Sequence, residues 1–74
     1  MNLNKRNKLI ILFEKYGATL TQTQSQAFHL HYIEDLSLQE ISKITATTRS
    51  AIHDAIKKAE NKLNKLDEQI NGDN

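Results

Sequence analysis

Arg49, Ser50, His53, Lys57 and Lys58 fall together in one stretch of the chain. On a helix, positions 49, 53 and 57 recur every four residues and share one stripe, with Ser50 beside it. Guanidinium and ammonium groups neutralise phosphates, and Arg, Ser and His side chains reach the hydrogen-bonding edges of bases. Lys43, a few residues upstream, is placed to flank the stripe. The chemistry this pattern can do is contact with an anionic surface, a nucleic acid or a protein partner. Asp54 sits in the middle of it. A carboxylate there either accepts from a cytosine amino group or pairs with Lys57 or Lys58 at helical spacing, and pairing is the expected role. With about three or four cations able to reach a phosphate backbone, binding is expected to be weak and salt-sensitive.

No other constellation supports chemistry. His29 and His31 are two residues apart, so on a helix they point to different faces and cannot clasp a metal as an i, i+4 pair does. Glu34 and Asp35 are adjacent and diverge for the same reason. There is no Cys, which rules out disulfides and thiolate ligands, and no glycine-rich phosphate loop. Phe13, Tyr16, Phe28 and Tyr32 fall in amphipathic phase and read as core, not as an exposed stacking platform. The chain is therefore expected to be no enzyme and to need no metal, cofactor or small-molecule substrate.

Charge follows the same division. The 74 residues carry 10 Lys+Arg against 9 Asp+Glu, net +1, so no strong overall field draws the chain to nucleic acid or membrane. Residues 1–20 are basic, 21–40 acidic, and 41–60 basic again. The longest apolar run, Leu9 to Phe13, is far short of the roughly 20 residues a membrane span needs. Lys5, Arg6 and Lys8 precede it, but Glu14 and Lys15 end it and no small-residue cleavage site follows. A cytoplasmic location without membrane contact is expected.

The elements that must carry the stripe are helices. There is no Pro and few turn residues, which argues against an all-β fold. The apolar spacing predicts helices over about 4–16, 21–35, 38–44 and 49–70. Thr21 with Gln24 and Ser37 with Glu40 form capping boxes, and Thr48 is a natural N-cap. The fold class is all-α: one four-helix domain over residues 1–74, with a long C-terminal helix and a disordered tail at 71–74. Residues 37 to about 60 read as a helix-turn-helix, in which the helix from Arg49 presents the basic stripe. Phe13, Phe28, Leu30, Ile41, Ile52 and Ile56 are expected in the core. Ile52, Ile56, Ala59, Leu63, Leu66 and Ile70 follow a 4-3-4-3-4 rhythm. A helix of that length, about 33 Å, is expected to outrun a small body. Leu63, Leu66 and Ile70 would then be covered by the first helix or form the seam of a weak homodimer, the second being favoured.

Tyr32-Ile33-Glu34-Asp35-Leu36-Ser37-Leu38-Gln39-Glu40-Ile41-Ser42 resembles the fourth conserved region of bacterial sigma factors. More closely, the chain is similar to the YlxM-like helix-turn-helix family. The likeness runs through Leu20-Thr21-Gln22-Thr23-Gln24, through Leu30, Tyr32 and Asp35, and through Ser37, Leu38, Glu40 and Ile41. It continues through Thr48-Arg49-Ser50-Ala51-Ile52-His53-Asp54 and from Lys57 to Leu63. The resemblance implies a sigma-like helix-turn-helix fold and a bacterial, cytoplasmic, non-enzymatic regulator acting in the signal recognition particle pathway, with components of that particle as partners. A DNA-binding transcription regulator using the same face, and a helical module whose protein partner docks on Leu63, Leu66 and Ile70, are the alternatives. The chain departs from the family at Thr45-Ala46-Thr47, where the usual turn has Gly or Asn between apolar residues. Ala46 takes a left-handed conformation less cheaply than Gly.

Overall fold

The computed structural model describes residues 3–70, with side chains from Lys5 onward. Residues 71–74, expected as a disordered tail, lie outside the described residues. Four helical segments follow one another: α1 (Leu3–Tyr16), α2 (Gln22–Phe28, continued by a π-helical turn over His29–Ile33), α3 (Leu38–Thr45) and α4 (Arg49–Ile70). A short 3-10 turn, Gly17–Thr19, joins α1 to α2, and no strand occurs among the described residues. The all-α class, the four helices and the long final helix are as the sequence predicts.

The ends form where the caps are. The Thr21 side chain accepts from Gln24 N–H, and the Gln24 side chain accepts from Thr21 N–H. Ser37 and Glu40 repeat the arrangement at α3. These bonds from Ser37 to the Glu40 carboxylate, first through the backbone and then the side chain, hold that carboxyl below the usual carboxylate range. The Thr48 hydroxyl accepts from Ala51 N–H at 3.1 Å and starts α4.

Two features depart from the sequence reading. The first is α2, expected to be one regular helix to about Asp35. It widens at His29, so that Glu34 N–H donates to His29 O at 3.1 Å, five residues back. It stops at Asp35, which is left-handed (φ 61°), a conformation short polar residues tolerate. A tertiary contact meets the turn: the Arg6 guanidinium of α1 donates to Tyr32 O at 2.7 Å. Within the segment, the rings of Phe28 and Tyr32 stack at 4.5 Å.

The second is the end of α4. Leu63 is fully buried and belongs to the same core as Leu9, Leu12 and Phe28. It is not part of an exposed overhang, because α1 packs on α4, with Lys8 Nζ 3.4 Å from Asp67 Oδ2. Leu66 is half-buried and Ile70 is 59% exposed. The seam proposed for a second copy thus loses Leu63 to the protomer's own interior. Of the expected core, Phe28, Ile41, Ile52 and Ile56 are buried. Phe13 and Leu30 are only half-buried, packed on its edge, while Tyr32, Ala59 and Leu63 are inside.

The helix-turn-helix turn closes despite its threonines. Ala46 is left-handed (φ 55°, ψ 40°), and both Ala46 N–H and Thr47 N–H donate to Ser42 O. This is the usual C-terminal cap with Ala in the glycine position. Thr45 and Thr47 add hydroxyl bonds to Ile41 O (2.8 Å) and Thr45 O (3.1 Å), fixing the turn by polar contacts. An L-residue costs about 1–2 kcal/mol in this conformation, while Gly costs about 0.5–1 kcal/mol more in backbone entropy. Ala46→Gly should therefore stabilise the chain by about 0.5–1 kcal/mol, a rise in Tm of about 2–8 °C. An unchanged or lower Tm in a thermal melt would show that Ala46 is not held left-handed.

Candidate nucleic-acid interface

The start of α4 follows the α3 turn directly, so the cap at Thr48 sets where Arg49 and Ser50 project. Ile52, Ala55, Ile56 and Ala59 face the core, which leaves Arg49, Ser50, His53, Asp54, Lys57 and Lys58 exposed. Arg49, Ser50 and His53 line an open cleft of about 430 Å³ with Leu38 of α3. A smaller cleft of about 170 Å³ adjoins it, sharing Leu38 and His53, and is walled by His31, Tyr32, Ile56, Lys57 and Glu60. The two form one shallow depression along α4, from Arg49 through His53 to Lys57. Lys43, in the last turn of α3, is exposed and lies outside both clefts.

The charges on this face are unequally committed. Lys58 Nζ is 3.1 Å from Asp54 Oδ2, so Asp54 takes the pairing role the sequence favoured. Both side chains are 63% exposed, and such a pair contributes about 0–1 kcal/mol. Lys57 Nζ is 3.9 Å from Glu60 Oε1, too far for a hydrogen bond. The other oxygen, Glu60 Oε2, accepts the Tyr32 hydroxyl at 2.5 Å. Burial of Tyr32, reinforced by the Glu60 carboxylate, pushes the phenol well above its ordinary range, so it stays a donor. Arg6, 5.8 Å from the Tyr32 ring centroid and 3.4 Å from Asp35 Oδ1, holds this residue from the other side.

Sequence reasoning missed Tyr32 and Glu60 as neighbours of the face. Tyr32 read as core, and Glu60 was assigned no role at this face. The signal that links them is a hydroxyl on a core-facing position, which needs a partner when buried.

His29 and His31 have separate partners. His29 Nε2 lies 3.3 Å from Glu34 Oε2, and His31 Nδ1 lies 3.0 Å from Leu36 O. No group of three or more potential metal ligands occurs among the described residues. A larger groove of about 660 Å³ runs between α1 and α2 past Phe13, Gly17 and Gln26, on other elements than the basic stripe, and His29 is its one ionisable lining residue. We place the candidate site on α4 because the cations converge there. Among the described residues, no helix is long and apolar enough to cross a membrane.

A left-handed turn between two short-linked helices, the second offering an exposed polar stripe, defines an all-α helix-turn-helix protein. The chain belongs to the UPF0122 family, described as "Putative helix-turn-helix protein, YlxM / p13 like", which matches residues 3–71. A UPF0122 protein of Clostridium perfringens is 40% identical over 68 residues, covering 92% of this chain and 61% of that relative. One from Clostridium kluyveri is 40% identical over 76 residues, covering 93% of this chain and 68% of its own length. One from Ureaplasma urealyticum is 39% identical over 70 residues, covering 95% and 71%. The chain thus spans under two thirds of the length of the Clostridium perfringens relative.

Proposed function

We propose that this chain is a non-enzymatic, cytoplasmic helix-turn-helix regulator that binds nucleic acid weakly through α4, with Arg49, Ser50, His53 and Lys57 at the centre of the face and Lys43 and Lys58 at its edges. The observation that carries the reading is the convergence of exposed Arg49, Ser50 and His53 on one cleft directly after the turn, with Lys57 next along the same stripe. The resemblance to YlxM-like proteins supports an action in the signal recognition particle pathway, where the particle's RNA would offer a phosphate backbone. A promoter DNA is the alternative ligand, and the same face would meet it.

Three or four phosphate contacts correspond to a log–log salt slope of about −3. Arg49→Ala and Lys57→Ala should each make the slope shallower by about 0.9. Asp54→Asn removes a repulsion and frees Lys58, so it should tighten nonspecific binding. Titration of a 20-base-pair DNA duplex and of a signal recognition particle RNA at several salt concentrations distinguishes the ligands by affinity at equal salt. Affinities that none of the three variants changes would remove this face from nucleic-acid binding.

A further inference from the structure

Two lysines stand side by side on α4, and each has a carboxylate within one helical turn, yet the outcomes differ. Asp54 closes on Lys58 to 3.1 Å. Glu60 is held at one oxygen by the Tyr32 hydroxyl, and its other oxygen stays 3.9 Å from Lys57, an ion pair without a hydrogen bond. Its side chain is only 14% exposed, whereas Lys57 is 59% exposed. The carboxylate is drawn inward and the ammonium is left outward.

Tyr32 lies within the π-turn and reaches Glu60 from there. Such turns recur at functional sites. Arg6 fixes the widened turn by its bond to Tyr32 O, at 2.7 Å. The chain of contacts therefore runs from α1 through the π-turn to the basic face.

We propose that Tyr32 and Glu60 are positioning residues of the α4 face: the Tyr32 hydroxyl holds the Glu60 carboxylate off Lys57 and so keeps the Lys57 ammonium available to a nucleic-acid phosphate. This rests on the nucleic-acid reading above. It gives the π-turn a role, presenting one hydroxyl to Glu60, and it distinguishes Lys57, which makes no hydrogen bond to its carboxylate, from Lys58, which lies 3.1 Å from Asp54.

The test is a double-mutant cycle read by salt-dependent binding to a 20-base-pair DNA duplex. Tyr32→Phe keeps the ring stack and releases Glu60 to pair with Lys57. It should weaken binding and make the slope shallower by up to about 0.9, the value of one phosphate contact. In the Lys57→Ala background the same substitution should change nothing, because the residue it acts through is gone. Equal weakening in both backgrounds would mean a general structural role and overturn the proposal. Should Tyr32→Phe fail to fold, Glu60→Gln answers instead, since the amide oxygen still accepts from Tyr32 while the carboxylate charge beside Lys57 disappears. With Glu60 already held off Lys57, the salt slope should stay close to that of the wild type. A slope steeper by about 0.9, and only with Lys57 present, would mean that Glu60 neutralises Lys57 in the wild type and overturn the proposal. A wild-type chain that shows no salt-dependent binding removes the nucleic-acid reading and this inference together; wild-type binding with a failed cycle removes only the inference.

Discussion

Phe28→Ala should destabilise the protein by about 4–5 kcal/mol, the upper part of the range for deleting a buried phenylalanine. Phe28 has no exposed surface, and its ring lies between two others. Its centroid is 4.6 Å from Phe13, with an interplanar angle of 23°, and 4.5 Å from Tyr32, with an angle of 26°. Truncation therefore opens a cavity between α1 and α2 and removes both stacked contacts, each adding about 0.5–1.5 kcal/mol beyond area alone. A chain of this length has a total stability of roughly 4–11 kcal/mol, so the variant stands at or near the threshold of folding. The expected drop in Tm exceeds about 15 °C. Phe13→Ala is the control: its residue is half-buried and stacks on Phe28 from one side, and it should cost roughly 2 kcal/mol. A loss below about 2 kcal/mol for Phe28→Ala in chemical denaturation would show that the stack does not organise the core.

What the sequence made legible divides along the distance over which the cause acts. The capping boxes at Thr21 and Ser37 and the cap at Thr48 formed as expected, because each is decided within four residues. Ile41, Ile52 and Ile56 are buried because helical periodicity fixes their face once the helices exist. The π-turn was not legible. The partners that meet it, Arg6 and Glu60, lie 26 and 28 residues from Tyr32, and nothing in His29-Leu30-His31-Tyr32-Ile33 announces it. The left-handed Ala46 was legible as a conflict but not as an outcome. The propensity cost at one residue was outweighed by the amide and hydroxyl bonds that Ser42, Thr45 and Thr47 place around it.

The contact face shows the same division. Spacing alone put Arg49, Ser50, His53 and Lys57 on one side of α4, and it offered Asp54 a partner at i+4. Spacing did not show that Lys57 and Lys58 would differ in availability. That difference comes from Tyr32 on another helix, whose hydroxyl holds Glu60 so that its other oxygen stays 3.9 Å from Lys57.

Leu63→Glu is the other substitution with a large expected effect, and it separates two accounts of the end of α4. If α4 ran past the body, Leu63 would be a surface residue and Leu63→Glu would leave the fold intact. Leu63 instead has no exposed surface and lies in the core with Leu9 and Leu12 of α1. A carboxylate there loses the leucine's packing and sits without a partner, so the cost should exceed about 4 kcal/mol, enough to abolish a cooperative melt at neutral pH. The new carboxyl would titrate above its unfolded value, because burial disfavours its charged form. Its penalty is then greatest above the folded pKa and shrinks as the pH falls toward the unfolded one, so part of the structure should return in mild acid. Ile70→Glu changes a residue that is 59% exposed and should alter stability by less than about 0.5 kcal/mol. With Leu63 inside the protomer, a second copy docking on this end has Leu66 and Ile70 as its apolar anchors. Light scattering on the Ile70→Glu variant reads that directly, since a dimer built on these residues should lose mass toward 8.5 kDa while the melt stays unchanged. A cooperative, wild-type-like melt for Leu63→Glu would mean that α1 does not cover α4 as described, and the exposed seam would be restored to Leu63.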